Sequence, residues 1–241
     1  MRSKLLIAAA LLVTSLATPS MSADLPGIKG PPVPVPIAEF SWTGPYAGGQ
    51  IGYAAGHDVT KEYFTAGRIF IGLQNYFTPK GFLAGLHAGY NYQYGALVVG
   101  LEADAEVTDV RGGFVDPPAA PFNPGGYGNT RVNYQASLRA RLGLALGRTM
   151  IYTTGGPSVA QIETTYKNWG LVSETFKKTV AGLTAGGGVE HAVTDYLTLR
   201  AEYRFTAYPK FWNDSLVAFP GFSGSQHPRN HALRIGASYR F

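Results

Sequence analysis

Residues 229–241 read RNHALRIGASYRF. Counting back from the end, Phe241, Tyr239, Ala237, Ile235 and Leu233 alternate with Arg240, Ser238, Gly236 and Arg234. Strict period-two alternation places one set on each face of a β-strand. An apolar or aromatic face opposite an arginine-bearing one fits a wall that is oily outside and wet inside, as in a membrane barrel.

The same pattern recurs upstream. Residues 82–94 set Phe82, Ala84, Leu86, Ala88, Tyr90, Tyr92 and Tyr94 against Leu83, Gly85, His87, Gly89, Asn91 and Gln93. After a tight turn at Gly95-Ala96, Leu97, Val99, Leu101, Ala103, Ala105 and Val107 oppose Gly100, Glu102, Asp104, Glu106 and Thr108. Residues 131–146 place Val132, Tyr134, Ala136, Leu138, Ala140, Leu142 and Leu144 opposite Asn133, Gln135, Ser137, Arg139, Arg141 and Gly143. Residues 179–191 alternate with Glu190 on the polar side, and residues 197–207 carry Arg200, Glu202 and Arg204 there. Two weaker strands complete the set, about 46–57 and about 150–162. In the second, Pro157 removes a backbone donor and predicts a bulge or an early end. The expected fold is therefore all-β, an eight-stranded antiparallel transmembrane up-and-down β-barrel.

The connections support it. Turns at 95–96, 147–149 and 192–196 are short, whereas 58–80, 110–130, 163–178 and 208–228 read as four long loops rich in Gly, Pro, Asn and aromatics. Short periplasmic turns opposite long extracellular loops are the outer-membrane arrangement. The central outward positions of the clearest strands carry no charge, and a Lys or Arg facing lipid at mid-depth costs about 2–4 kcal/mol. A secreted lipocalin-like barrel would have to invert these faces, with its charges outside and its Tyr and Leu inside.

Composition narrows the class further. Charged residues are 15% of the chain, glycine contributes 31 of 241 residues, and cysteine is absent, which excludes disulfides and thiolate chemistry. The pI of about 9.3 comes without any run of basic residues, so no nucleic-acid partner is expected. Residues 1–22 read as a signal peptide: Arg2 and Lys4 precede the apolar run Leu5–Ala17, and Ser20 and Ser22 suit cleavage after Ser22. Residues 23–39, with Pro26, Pro31, Pro32, Pro34 and Pro36, read as an extended periplasmic tether, and the barrel occupies 40–241. The chain is thus expected in the outer membrane of a Gram-negative bacterium, among outer-membrane lipids and lipopolysaccharide.

Several motifs carry a family resemblance. Ala-Asp-Leu-Pro at 23–26, Trp42-Thr43-Gly44-Pro45-Tyr46 with Gly48 and Gly52, Thr154-Gly155-Gly156, Gly188-Val189-Glu190, Ala201-Glu202-Tyr203 and the terminal strand resemble the small outer-membrane immunogenic proteins of alphaproteobacteria. These are porin-like, OmpA-type eight-stranded barrels. The resemblance implies that the terminal strand, through Tyr239 and Phe241, is the signal read by the barrel-assembly machinery. It also brings in haem, for which His227, His231 and the loop tyrosines are candidate ligands.

The one constellation of charge is luminal: Glu102, Asp104, Glu106, Arg139, Arg141, Arg200, Glu202, Arg204 and Arg234. Glu102 and Asp104 lie at heights matching Arg141 and Arg139 on the next strand, so cross-strand carboxylate–guanidinium pairs are expected. Such a network either plugs a narrow lumen or forms an ion-selecting constriction. No Ser–His–acid set or metal signature is legible, so no enzyme and no cofactor are expected. The expected function is structural, stabilising the cell envelope and presenting surface loops, with a small-solute porin and a haem-binding receptor as alternatives. A lipid-modifying barrel enzyme stays open as a minor one.

Overall fold

A computed structural model describes residues 40–116, 125–170 and 172–241; the signal peptide and the tether lie outside them. Among the described residues eleven strands form: β1 (Gly44–Phe64), β2 (Ile69–Phe77), β3 (Lys80–Tyr94), β4 (Leu97–Asp116), β5 (Gly126–Leu146), β6 (Thr149–Asn168), β7 (Ser173–Ala192), β8 (Leu197–Ala207), β9 (Phe211–Asp214), β10 (Phe222–Gln226) and β11 (Arg229–Arg240). Eight of them, β1, β3–β8 and β11, pair antiparallel in chain order, and β11 closes on β1 from Tyr46↔Arg240 to His57↔Arg229. The ring leaves no unpaired edge, as a β-structure in lipid requires. Gly95 and Gly147 take left-handed φ of 59° and 61° at the tight turns, where a side chain would be strained.

The regions expected to be loops are partly sheet. β1 runs seven residues beyond His57 to Phe64, folds back as β2, and pairs with β10, which pairs with β9. The result is a four-stranded sheet, β2-β1-β10-β9, continuing the wall beyond the ring. β4 and β5 likewise pair out to Asp116↔Gly126, and β6 and β7 to Lys167↔Ser173. The Gly and Asn content suggested irregular chain, but β-branched and aromatic residues at alternate positions there suit pairing.

Two local expectations change. Pro157 neither ends β6 nor shifts its register: pairing with β7 runs through Pro157↔Leu183, and on the β5 side it is the same before and after the proline. Proline removes one donor while its fixed φ still fits an extended chain. Val132 was expected to face outward with Tyr134, yet it is 4% exposed and Tyr134 44%. The register slips between Val132 and Tyr134 of β5 against β6, and between Val107 and Val110 of β4 against β5. One extra residue, Asn133, reverses the faces beyond it.

Outside, the ring presents Leu86, Leu101, Leu138, Leu142, Ile151, Leu183, Leu199 and Ile235, all exposed. Tyr90, Tyr92, Tyr94, Tyr196, Tyr239 and Phe241 circle the turn end, and Tyr53, Phe82, Tyr134 and Tyr203 the loop end. These are interfacial aromatic girdles.

A sealed luminal charge network

The interior is layered. At the turn end, Trp42 is buried with Val98, Ala145, Met150, Tyr152 and Ala192. Its amide donates to Gln93 Oε1 (2.7 Å) and its indole N–H to the Gly147 carbonyl (3.1 Å), so residues before β1 fold across the opening. Arg240 lies over the Phe40 ring at 4.5 Å. Toward the loop end, Ala54, Leu83, Val110, Val132, Ala160, Ile162, Val180, Tyr208 and Ala232 form a second apolar layer.

Between these layers lies the charge. All nine residues singled out from the sequence point inward, and Glu190 joins them; each of the ten is at most 6% exposed. Arg139 is the hub, with Nη2 at 2.9 Å from Asp104 Oδ2, Nη1 at 3.0 Å from Glu202 Oε1, and a further pair with Glu102. Arg204 reaches Asp104 Oδ1 at 3.0 Å and Glu202 Oε1 at 2.8 Å. Arg200 meets Glu102 Oε2 at 2.5 Å. Arg234 grips Glu106 with Nε at 2.8 Å and Nη2 at 2.9 Å, a two-point geometry that fixes orientation as well as energy.

The expected pairing is met by Arg139 but not by Arg141. Arg141 pairs with Glu190, stacks 3.8 Å above the Tyr152 ring, and comes only within 4.0 Å of Glu102. Gly100, not Asp104 or Glu102, stands opposite Arg141, and the guanidinium crosses the lumen to β7 instead. Neutral donors complete the shell. Tyr46 Oη donates to Glu102 (2.8 Å), Tyr152 Oη to Glu202 (3.0 Å), Ser137 Oγ to Asp104 (2.6 Å) and Gln50 Nε2 to Glu106 (2.6 Å). Sequence reading missed these four and Glu190 as members. Tyr46, Gln50 and Tyr152 sit on the two weakly patterned strands, whereas Glu190 stood at an inward position and was legible there.

Small residues make the room. A Cβ on Gly89 would stand 2.5 Å from Tyr46 Oη, so the tyrosine reaches Glu102 only because that wall position is glycine. Five arginines (139, 141, 200, 204, 234) balance five carboxylates (102, 104, 106, 190, 202), so the cluster is neutral as a whole. With every carboxylate engaged by a guanidinium, none stands free as a general acid or base. Among the described residues, no group of three or more His, Cys, Asp or Glu is placed to hold a metal.

Of the haem candidates, His227, Tyr63 and Tyr76 line one groove that does not include His231. His231 lies on the outer face of β11, with Nδ1 2.6 Å from Tyr203 Oη and its ring 4.9 Å from that of Phe205. Tyr63 packs with Trp212 on the outer face of the extension sheet, while Phe64 packs with Phe222 and Phe77 with Phe114 on its inner face. Strand alternation sends these neighbouring aromatics to opposite sides.

Comparison with known proteins agrees with the architecture. A model described as outer membrane protein beta-barrel domain matches residues 8–241. The 31 kDa outer-membrane immunogenic protein of Brucella melitensis is 30% identical, over 95% of this chain and 97% of its own. The 25 kDa outer-membrane immunogenic protein of the same organism is 32% identical, over 100% and 99%. The 22 kDa outer membrane protein of Rhizobium leguminosarum is 27% identical, over 83% and 79%. Among solved structures, the outer membrane protein OprG of Pseudomonas aeruginosa shares the fold with a TM-score of 0.53 at 10% identity, covering 83% of this chain and 96% of that one.

Proposed function

Given that the chain belongs to the outer membrane protein beta-barrel family, we propose that it is a non-enzymatic, non-conducting wall protein of the outer membrane, stabilising the envelope and displaying its extension sheet and loops at the cell surface. The observation that carries this reading is the neutral ten-charge cluster filling the lumen between two apolar layers. An ion crossing such a barrel would have to displace guanidiniums from their carboxylates and pass two dry constrictions, and hydrophobic constrictions alone oppose wetting.

The rest of the reading concerns delivery and neighbours. The chain is exported by its cleaved signal peptide and inserted by the barrel-assembly machinery, which reads Tyr239 and Phe241. It then sits among outer-membrane lipids and lipopolysaccharide. Planar-bilayer recording on the refolded protein tests the central claim. The expected record is a flat baseline with brief openings at most; large, long-lived channels from pure protein would replace this reading with a porin.

A further inference from the structure

Beyond the apolar layer at the loop end, strand alternation carries the inward faces on. Glu62 follows the buried Asp58 and Thr60 on β1, Phe114 and Asp116 follow Val110 on β4, and Tyr166 follows Ile162 and Thr164 on β6. With Phe219, Phe222 and Gly224 they line a cavity of about 40 Å3, room for about three water-sized groups at ~10–15 Å3 each.

The chemistry of this wall is one-sided. Elsewhere among the described residues, carboxylates meet an arginine or lysine, as Asp214 meets Arg68 and Glu163 meets Lys177. Others accept backbone amides, as Glu174 does from Leu216 and Val217. Glu62 instead faces a second carboxyl, Asp116, and among the described residues no guanidinium or ammonium lines the cavity. The pair answers by holding a proton: burial first, then Asp116, pushes the Glu62 pKa up to about 8.

A second group points to the same place. Tyr166 is 8% exposed and its hydroxyl makes no hydrogen bond; Asn213 and Gln226 lie near it without completing one. A Cβ on Gly224 would stand 2.5 Å from that hydroxyl, and Gly224 is the direct cross-strand partner of Glu62. The phenol therefore reaches β10 beside the carboxyl pair and adds a third oxygen able to accept a hydrogen bond. Leaving a buried polar group unmet is costly, so the cavity is poised for a donor.

We propose that this cavity binds a small primary alkyl ammonium ion, whose three N–H groups donate to Glu62, Asp116 and the Tyr166 hydroxyl while Phe114, Phe219 and Phe222 flank its carbon chain. A primary ammonium carries three donors and no acceptor, which matches three oxygens. Aromatic faces attract the same charge. A hard metal ion takes about six or more oxygen ligands, which this wall does not supply. The site stands beyond the sealed lumen and does not depend on whether the lumen conducts.

The test is calorimetric titration of the refolded full chain with ethylammonium chloride, in non-ionic detergent and an amine-free buffer. It is run at about pH 9, above the Glu62 pKa and below that of an alkyl ammonium. Ethylammonium should bind saturably, and ethanol, tetramethylammonium and sodium at least about tenfold more weakly, the worth of one hydrogen bond to a charged group. Glu62→Gln, which imitates the protonated carboxyl and so keeps the fold, and Tyr166→Phe should each weaken ethylammonium by about tenfold or more. Glu163→Gln, on the outer face, should bind as wild type. Protease protection in vesicles checks each fold; a variant that fails is replaced by Gly224→Ala, whose methyl displaces the phenol and should weaken binding likewise. Absent saturation in wild type, equal binding of ethanol, or unchanged affinity in either variant overturns the proposal. Equal binding of tetramethylammonium overturns the three N–H contacts, and tighter binding of sodium makes this an inorganic-cation site and overturns the amine assignment.

Discussion

Replacing Arg139 with Met tests whether the luminal cluster is an energetic unit. Arg139 is fully buried and faces three carboxylates, so its loss leaves the lumen with one uncompensated negative charge in a dry layer. Removing one partner of a buried ion pair typically costs about 3–5 kcal/mol. Glu102 keeps Arg200, and Asp104 and Glu202 keep Arg204, so the expected loss lies at the lower end, about 3 kcal/mol. The double variant R139M/E202Q restores neutrality and should recover about 1–2 kcal/mol of that loss, a coupling of the size seen between contacting residues. The assay is reversible urea unfolding in lipid vesicles, followed by the summed fluorescence of Trp42, Trp169 and Trp212. A loss below about 1 kcal/mol for R139M, or strictly additive effects in the double variant, would refute a sealed and mutually dependent cluster.

Leu138→Arg, on the lipid face of β5 next to Arg139, should destabilise the inserted barrel by about 2–4 kcal/mol, and an unchanged urea midpoint would remove the lipid from that face. Beyond the belt, burial and the hydrogen-bonded Asp116 carboxylate push the Glu62 pKa up to about 8, so the folded state holds a proton that the unfolded chain releases near the ordinary value of 4.5. Stability from this contact is therefore complete at acid pH and is lost as pH rises through about 8; the protection factors of amides 60–64, which take out the intrinsic rise of exchange with pH, should fall over that window in wild type and stay level in Glu62→Gln. Deleting Phe241 removes an amide that donates to the Pro45 carbonyl at 3.2 Å and a ring packed on Tyr239 at 5.1 Å, and it should reduce outer-membrane insertion without affecting export. Normal outer-membrane levels of the truncated chain on fractionation would make Phe241 dispensable.

The wall of the barrel was legible where alternation is strict. The lipid faces of β3, β4, β8 and β11 and the inward charges on β4, β5 and β8 follow from period two alone. What alternation does not encode is how a ring of staggered strands closes. Arg141 meets Glu190 across the lumen because the barrel brings β5 and β7 within a side chain's reach, although β6 lies between them in the sheet. The reversal at Val132 depends on a single inserted residue that no local propensity marks. Tyr46 and Tyr152 stayed hidden because glycines blur the alternation of their own strands, while the glycines that clear space for the two rings, Gly89 and Gly188, lie on neighbouring strands.

The equality of five positive and five negative luminal groups also bears on how the barrel responds to an electric field. A potential across a membrane does work on net charge moved through it, about 2.3 kcal/mol per elementary charge per 100 mV. Sites that open with voltage carry an excess of one sign on a mobile element. Here every guanidinium is tied to a carboxylate on another strand, so a field pulls the two members of each pair in opposite directions and the cluster as a whole experiences no net force. A change in outer-membrane potential therefore gives this barrel no mechanical lever, and its lumen should stay equally closed at either polarity.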